Sequence, residues 1–140
     1  MNRGVNRERA QAWLDRYVAA WKSYDAAEIG ALFSESAEYR YHPWDEPVRG
    51  RTAIVADWVE PEGDASGRDE PGTYDAEYRP WAIDADHVVA IGTSTYFADA
   101  TRSTVRRVFS NVFLMDFDPD GRCRSFTELF IEHPQGVTGS

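Results

Sequence analysis

Apolar residues recur every three to four positions through the first third of the chain and at alternate positions through the last half. In NRERAQAWLDRYVAAWKSY, Trp13, Tyr17 and Trp21 fall at i, i+4 and i+8, with Leu14 and Val18 beside them. Arg9, Asp15, Arg16 and Lys22 lie off that stripe, so the spacing predicts an amphipathic helix, with Asn6 as its N-cap. DAAEIGALF opens with Asp25 and carries Glu28 three residues on, a capping-box pattern with Asp in place of Ser or Thr. Ile29, Leu32 and Phe33 form the face this second helix would bury. A short strand, AEYRYH, then alternates Tyr39 and Tyr41 against Arg40 and His42. Gly50 and Thr52 introduce a third helix, TAIVADWVE, which Pro61 ends.

The segment PEGDASGRDEPG is acidic and turn-rich, and reads as a solvent loop or lid. From Thr73 onward the period changes to two, predicting strands over 73–83, 87–97, 103–117 and 122–133. The turns between them are DAD, ADATR and DPDG. Pro80 puts its strand at a sheet edge or on a bulge. Helices segregated from a run of antiparallel strands mean α+β, with the helices on one face of a curved sheet. The third of these strands is apolar on both alternating sets: Asn111, Phe113, Met115 and Phe117 on one, Val108, Ser110, Val112 and Leu114 on the other. Both faces then need cover. The helices take one, and a second copy of the chain is expected on the outer face, making a homodimer.

Composition narrows the function. The 140 residues are expected to form one domain, with its core over about 7–133 and a tail at 134–140. Fifteen basic against 24 acidic residues give a formal charge of −9, which disfavours nucleic acid and anionic membrane surfaces as partners. Cys123 is the single cysteine, so no internal disulfide forms. No stretch reaches transmembrane length, and MNRGVNRERAQAW lacks an apolar signal core, which points to the cytoplasm. His42, His87 and His133 lie far apart without ligand spacing, so no metal is expected. Phosphate and dinucleotide fingerprints are missing too, and no cofactor is expected. Aromatic residues make up 14% of the chain, five of them tryptophan, more than a core of this size needs. They raise the expectation of a ring-lined cavity for a small apolar molecule. Residues 39–50, YRYHPWDEPVRG, concentrate rings and titratable groups as a pocket rim would.

Four pieces of the chain resemble the nuclear-transport-factor-2-like superfamily, the cone-shaped α+β barrel that includes polyketide cyclases and steroid Δ-isomerases. They are RYVAAW (16–21), ALFSESAEYRYHPW (31–44), the helix start Gly50–Arg51–Thr52–Ala53–Ile54, and the hairpin FDPDGRCRSFTELF (117–130). The resemblance spans about 7–133. It implies three N-terminal helices packed in the concave face of a curved, mostly antiparallel sheet, with YRYHPW at the mouth of the cone. Isomerases of the family place a proton-shuttling carboxylate just before a proline there, and this chain has His42 before Pro43. Their first helix carries an oxyanion-stabilising tyrosine, a place Tyr17 occupies. Their second donor, a protonated aspartate, is replaced by Phe113. Family cyclases and epoxide hydrolases carry an acid on the last strand, where this chain has Glu128 between Phe126 and Phe130.

The resemblance therefore implies His42 as base, Tyr17 as hydrogen-bond donor and Glu128 or Asn111 in support. Trp21, Tyr41, Trp44, Trp58, Tyr96, Asn111, Phe113 and Phe130 are the expected pocket lining. Histidine suits proton transfer near neutrality, and a carboxyl among rings is held towards its neutral form. Each residue also has a plainer role. His42 could be a rim histidine bonded to nearby backbone or to Asp45, Tyr17 a core residue, and Glu128 the partner of a buried arginine such as Arg40 or Arg106. The functional expectation is cofactor-free acid/base chemistry, an isomerisation or polyketide-type cyclisation, on an apolar carbonyl- or hydroxyl-bearing substrate. The alternative is a non-catalytic binder of the same fold.

Overall fold

The computed structural model describes residues 5–61 and 70–134. Helix α1 (Arg7–Ser23) starts where the Asn6 side chain accepts the Arg9 N–H at 2.8 Å. It ends at Tyr24, a left-handed residue whose N–H returns to the Ala20 carbonyl. Trp13, Leu14 and Tyr17 form its buried stripe. Helix α2 (Ala26–Leu32) is capped by Asp25, which accepts the Glu28 N–H at 3.0 Å. The return half of the box runs through Ser23: its hydroxyl donates to the Glu28 carboxylate and accepts the Asp25 N–H.

Strand β1 (Phe33–Arg40) follows α2 without a loop, so Phe33, expected on the helix, is the first extended residue. The strand also stops two residues short of His42. There the Asp45 N–H bonds the His42 carbonyl across Pro43 and Trp44, a turn with proline at its second position. A two-residue strand, β2 (Val48–Arg49), pairs back onto β1. Helix α3 (Arg51–Val59) springs from Gly50, whose φ of 93° favours glycine.

Strands β3 (Tyr74–Asp84), β4 (His87–Phe97), β5 (Val105–Phe117) and β6 (Cys123–Glu132) begin and end within two residues of expectation. They join one sheet in the order β2-β1-β6-β5-β4-β3, antiparallel except for β1 against β6. Pro80 lies on the edge strand β3, and the register with β4 slips between Pro80 and Ala82. Gly92 faces Tyr78 across that pair, and any Cβ there would lie 2.0 Å from the Glu77 carbonyl oxygen. Only glycine lets β3 and β4 approach this closely.

The helices pack on one face of the sheet. The Tyr17 ring stacks on Phe126 and meets Trp58 and Phe113, while Trp13 sits edge-on to Phe33 and Phe117. These rings fill the space between helices and sheet along α1. On β5, Asn111, Phe113, Met115 and Phe117 are buried, and Leu114 on the other set is 44% exposed. No helix among the described residues is long and apolar enough to cross a membrane. Residues 62–69 of the expected lid and 135–140 of the expected tail lie outside the described residues.

Candidate functional site

Beyond the packed rings the sheet and helices enclose an open cleft of about 710 Å³, a volume in the range of small-molecule sites. Helix α1 supplies Trp21, α3 supplies Asp57, and Tyr41 follows the last residue of β1. Strand β4 adds Ser94 and Tyr96, and β5 adds Phe109 and Asn111. Glu128, Phe130 and Glu132 come from β6 at alternate positions, as period two requires.

Glu128 is the titratable centre. Burial disfavours its charged form and pushes its pKa up from 4.5 to about 7. The electrostatic influence of His42 and a hydrogen bond from the Tyr39 phenol act in the opposite direction without cancelling it. The carboxyl has no ion pair with Arg40 or Arg106 among the described residues. Arg40 pairs with Glu38 instead and donates to the Asp45 carbonyl.

Behind Glu128 stands a chain of phenols. The Tyr39 and Tyr17 hydroxyls lie 3.3 Å apart, and both residues are enclosed. Burial is the main reason that both pKa values are raised, so both phenols stay protonated. Tyr41 donates to Asp57 at 2.5 Å, tying the end of β1 to α3. On the opposite wall the Ser94 hydroxyl donates to Asn111 Oδ1 at 3.0 Å. That bond orients the amide so that its NH2 is a donor without a partner among the described residues. Asn111 pairs with Phe130 and Phe113 with Glu128, so Asn111 and Glu128 are diagonal neighbours on one face. Such neighbours have Cα atoms about 7–8 Å apart.

The expected residues divide by position. Glu128, Trp21, Tyr41, Tyr96, Asn111 and Phe130 line the cleft. Tyr17, Trp58 and Phe113 lie behind it as enclosed core, because rings from α1, α3 and β3 cover them. His42 and Trp44 stand outside the lining. The His42 ring lies flat against Trp44 and also touches Phe130, while its Nδ1 is 2.8 Å from the Asp45 carboxylate. Trp44 is 80% exposed. Alternation with the inward-facing Tyr39 and Tyr41 already sends His42 the other way, and the turn at Pro43 holds it at the rim. HPWD is itself a turn signal with an aspartate placed to bond the histidine.

Tyr39, Asp57 and Arg106 were not singled out as site residues. Tyr39 shares its strand face with Tyr41, so alternation alone could have named it. Asp57 is the lone acid of α3, beside Trp58. Nothing local marks Arg106.

Solved structures similar to this one share its fold. A protein from Kribbella flavida described as a candidate ketosteroid isomerase is 16% identical, with a TM-score of 0.60 over 95% of this chain and 85% of that one. An NTF2-like protein from Burkholderia xenovorans is 17% identical, with a TM-score of 0.65 over 97% and 92%. An NTF2-like protein with a cystatin-like fold from Novosphingobium aromaticivorans is 22% identical, with a TM-score of 0.62 over 96% and 83%. No curated protein matches the chain in sequence. The family profile of the SnoaL-like domain matches residues 14–126, most of the helices and sheet that build the cleft, and the chain belongs to that family.

Proposed function

We propose that this protein binds a small, largely apolar carbonyl- or hydroxyl-bearing molecule in the cleft and moves a proton on it without a cofactor, as an isomerase or cyclase does. Glu128 is the acid/base. Its carboxylate takes a proton from the carbon next to the ligand carbonyl and returns it at a second position. The Asn111 amide donates to the oxygen that gains charge meanwhile. The observation that carries this reading is Glu128 itself: a carboxyl on the cleft wall with its pKa raised to about 7, where proton uptake and release are balanced near neutrality. His42 and Tyr17 then act through others, His42 by its electrostatic influence on Glu128 and Tyr17 through the Tyr39 phenol.

Deuterium exchange tests it. In D2O, wild type should speed exchange next to the carbonyl of apolar cyclic ketones, with a pH midpoint near that of Glu128. Glu128→Gln should abolish the exchange, and His42→Gln should slow it and move the midpoint. Binding without exchange would instead support a non-catalytic binder. That reading draws on one observation: the Tyr17 hydroxyl faces Tyr39 in the core rather than the cleft.

A second copy of the chain is the proposed partner of the outer sheet face. Leu114 at 44% and Ile131 at 75% exposure are the apolar surface it would cover.

A further inference from the structure

On β5 the odd-numbered positions Phe109, Asn111 and Phe113 face the helices, so a regular strand would send Arg106 to the outer face. The register prevents that. Tyr96 pairs with Arg107, but Phe97 pairs with Val105, leaving Arg106 as an extra residue with no partner on β4. This is a β-bulge, a device that re-aims side chains and recurs beside binding sites. As a result Arg106 and Arg107, adjacent in sequence, both line the cleft.

Their electrostatic situations differ. Arg107 is held by Glu132 through contacts of 2.9 and 3.3 Å. Of the other acids in the lining, Asp57 accepts the Tyr41 hydroxyl, and Glu128 is largely neutral below about pH 7. The Arg106 guanidinium has no ion pair or hydrogen bond among the described residues, while its neighbour Arg107 takes Glu132. A chain of net charge −9 repels anions at long range, so an anionic ligand would need a fixed local cation to hold it. Guanidinium offers a planar pair of donors that fits a carboxylate.

We infer that the cleft takes an elongated apolar molecule bearing a carboxylate, which Arg106 holds at one end while Glu128 faces the other. The inference rests on reading the cleft as a ligand site and names its ligand class. The elongation follows from spacing. Arg107 and Phe113, the partner of Glu128, lie six residues apart on β5, about 20 Å of backbone. The arginine side chain spans part of that distance. Trp21, Tyr96, Phe109 and Phe130 supply rings for the body of the molecule.

Calorimetric titration at about pH 6 with 2-naphthylacetate and 4-biphenylbutyrate, each beside its primary amide, tests this. In wild type the acids should bind about tenfold tighter than the amides, the scale of one charge-assisted contact. Arg106→Gln should bring each acid to the affinity of its amide and leave the amide unchanged, and Arg106→Lys should keep part of the preference. Amides binding as tightly as acids in wild type, or a preference surviving Arg106→Gln, overturns the inference while the ligand site stands. Failure of all four probes to bind at millimolar concentration overturns both.

Discussion

The phenolic oxygens of Tyr17 and Tyr39 lie 3.3 Å apart with both residues enclosed by protein, and with Tyr17 donating to Tyr39 the Tyr39 O–H is left for Glu128. Tyr39 then links that pair to Glu128, stacked flat on Phe126 with ring centroids 4.7 Å apart. The first helix thus reaches the carboxyl through a phenol on β1 and not directly.

Tyr39→Phe removes the donor that favours ionised Glu128. The Glu128 midpoint should climb from about 7 by about one further pH unit, as read by carboxyl 13C chemical shifts. An unchanged midpoint would remove Tyr39 from the site.

Glu128→Gln should stabilise the fold, and only at the upper end of the pH range. In the folded state Glu128 holds its proton more tightly than the ordinary 4.5, so wild-type stability falls as pH rises from 4.5 to about 7 and stays lower above it. Glutamine does not ionise. The stability gap between variant and wild type should therefore be flat below about pH 4.5 and widen by up to roughly 3 kcal/mol above about pH 7. Urea unfolding across that range measures it, and a gap independent of pH sinks the assignment.

Trp58 is fully enclosed and stacked on Trp21 at 4.2 Å. Trp58→Ala should cost about 3–5 kcal/mol, a large part of the stability of a domain this size. Trp58→Phe should cost less, because the indole N–H has no acceptor among the described residues and its removal leaves no donor stranded. Urea midpoints of the two variants give the comparison.

For the proposed dimer, Leu114→Arg and Ile131→Arg should each give a monomer with an unchanged far-UV spectrum, since neither side chain belongs to the core. Sedimentation velocity decides it. A monomeric wild type at tens of micromolar refutes the partner.

Much of the architecture was legible because its determinants are short-range. The caps at Asn6 and Asp25 and the ends of β3 to β6 follow from backbone groups that must find partners within a few residues and from a period that neighbours impose. The alternation of β6 likewise put Glu128 on the face of Phe126 and Phe130. Only the tertiary structure decided which rings wall the cleft and which are sealed behind it, because that depends on elements far apart in sequence: Tyr78 covers Phe113, and Trp21 covers Trp58. It also decided where alternation fails. One surplus residue against β4 brings Arg106 inward. That reversal arises from strand pairing beyond the reach of local preference, which is why a residue's side of the sheet can change while its strand stays where the sequence put it.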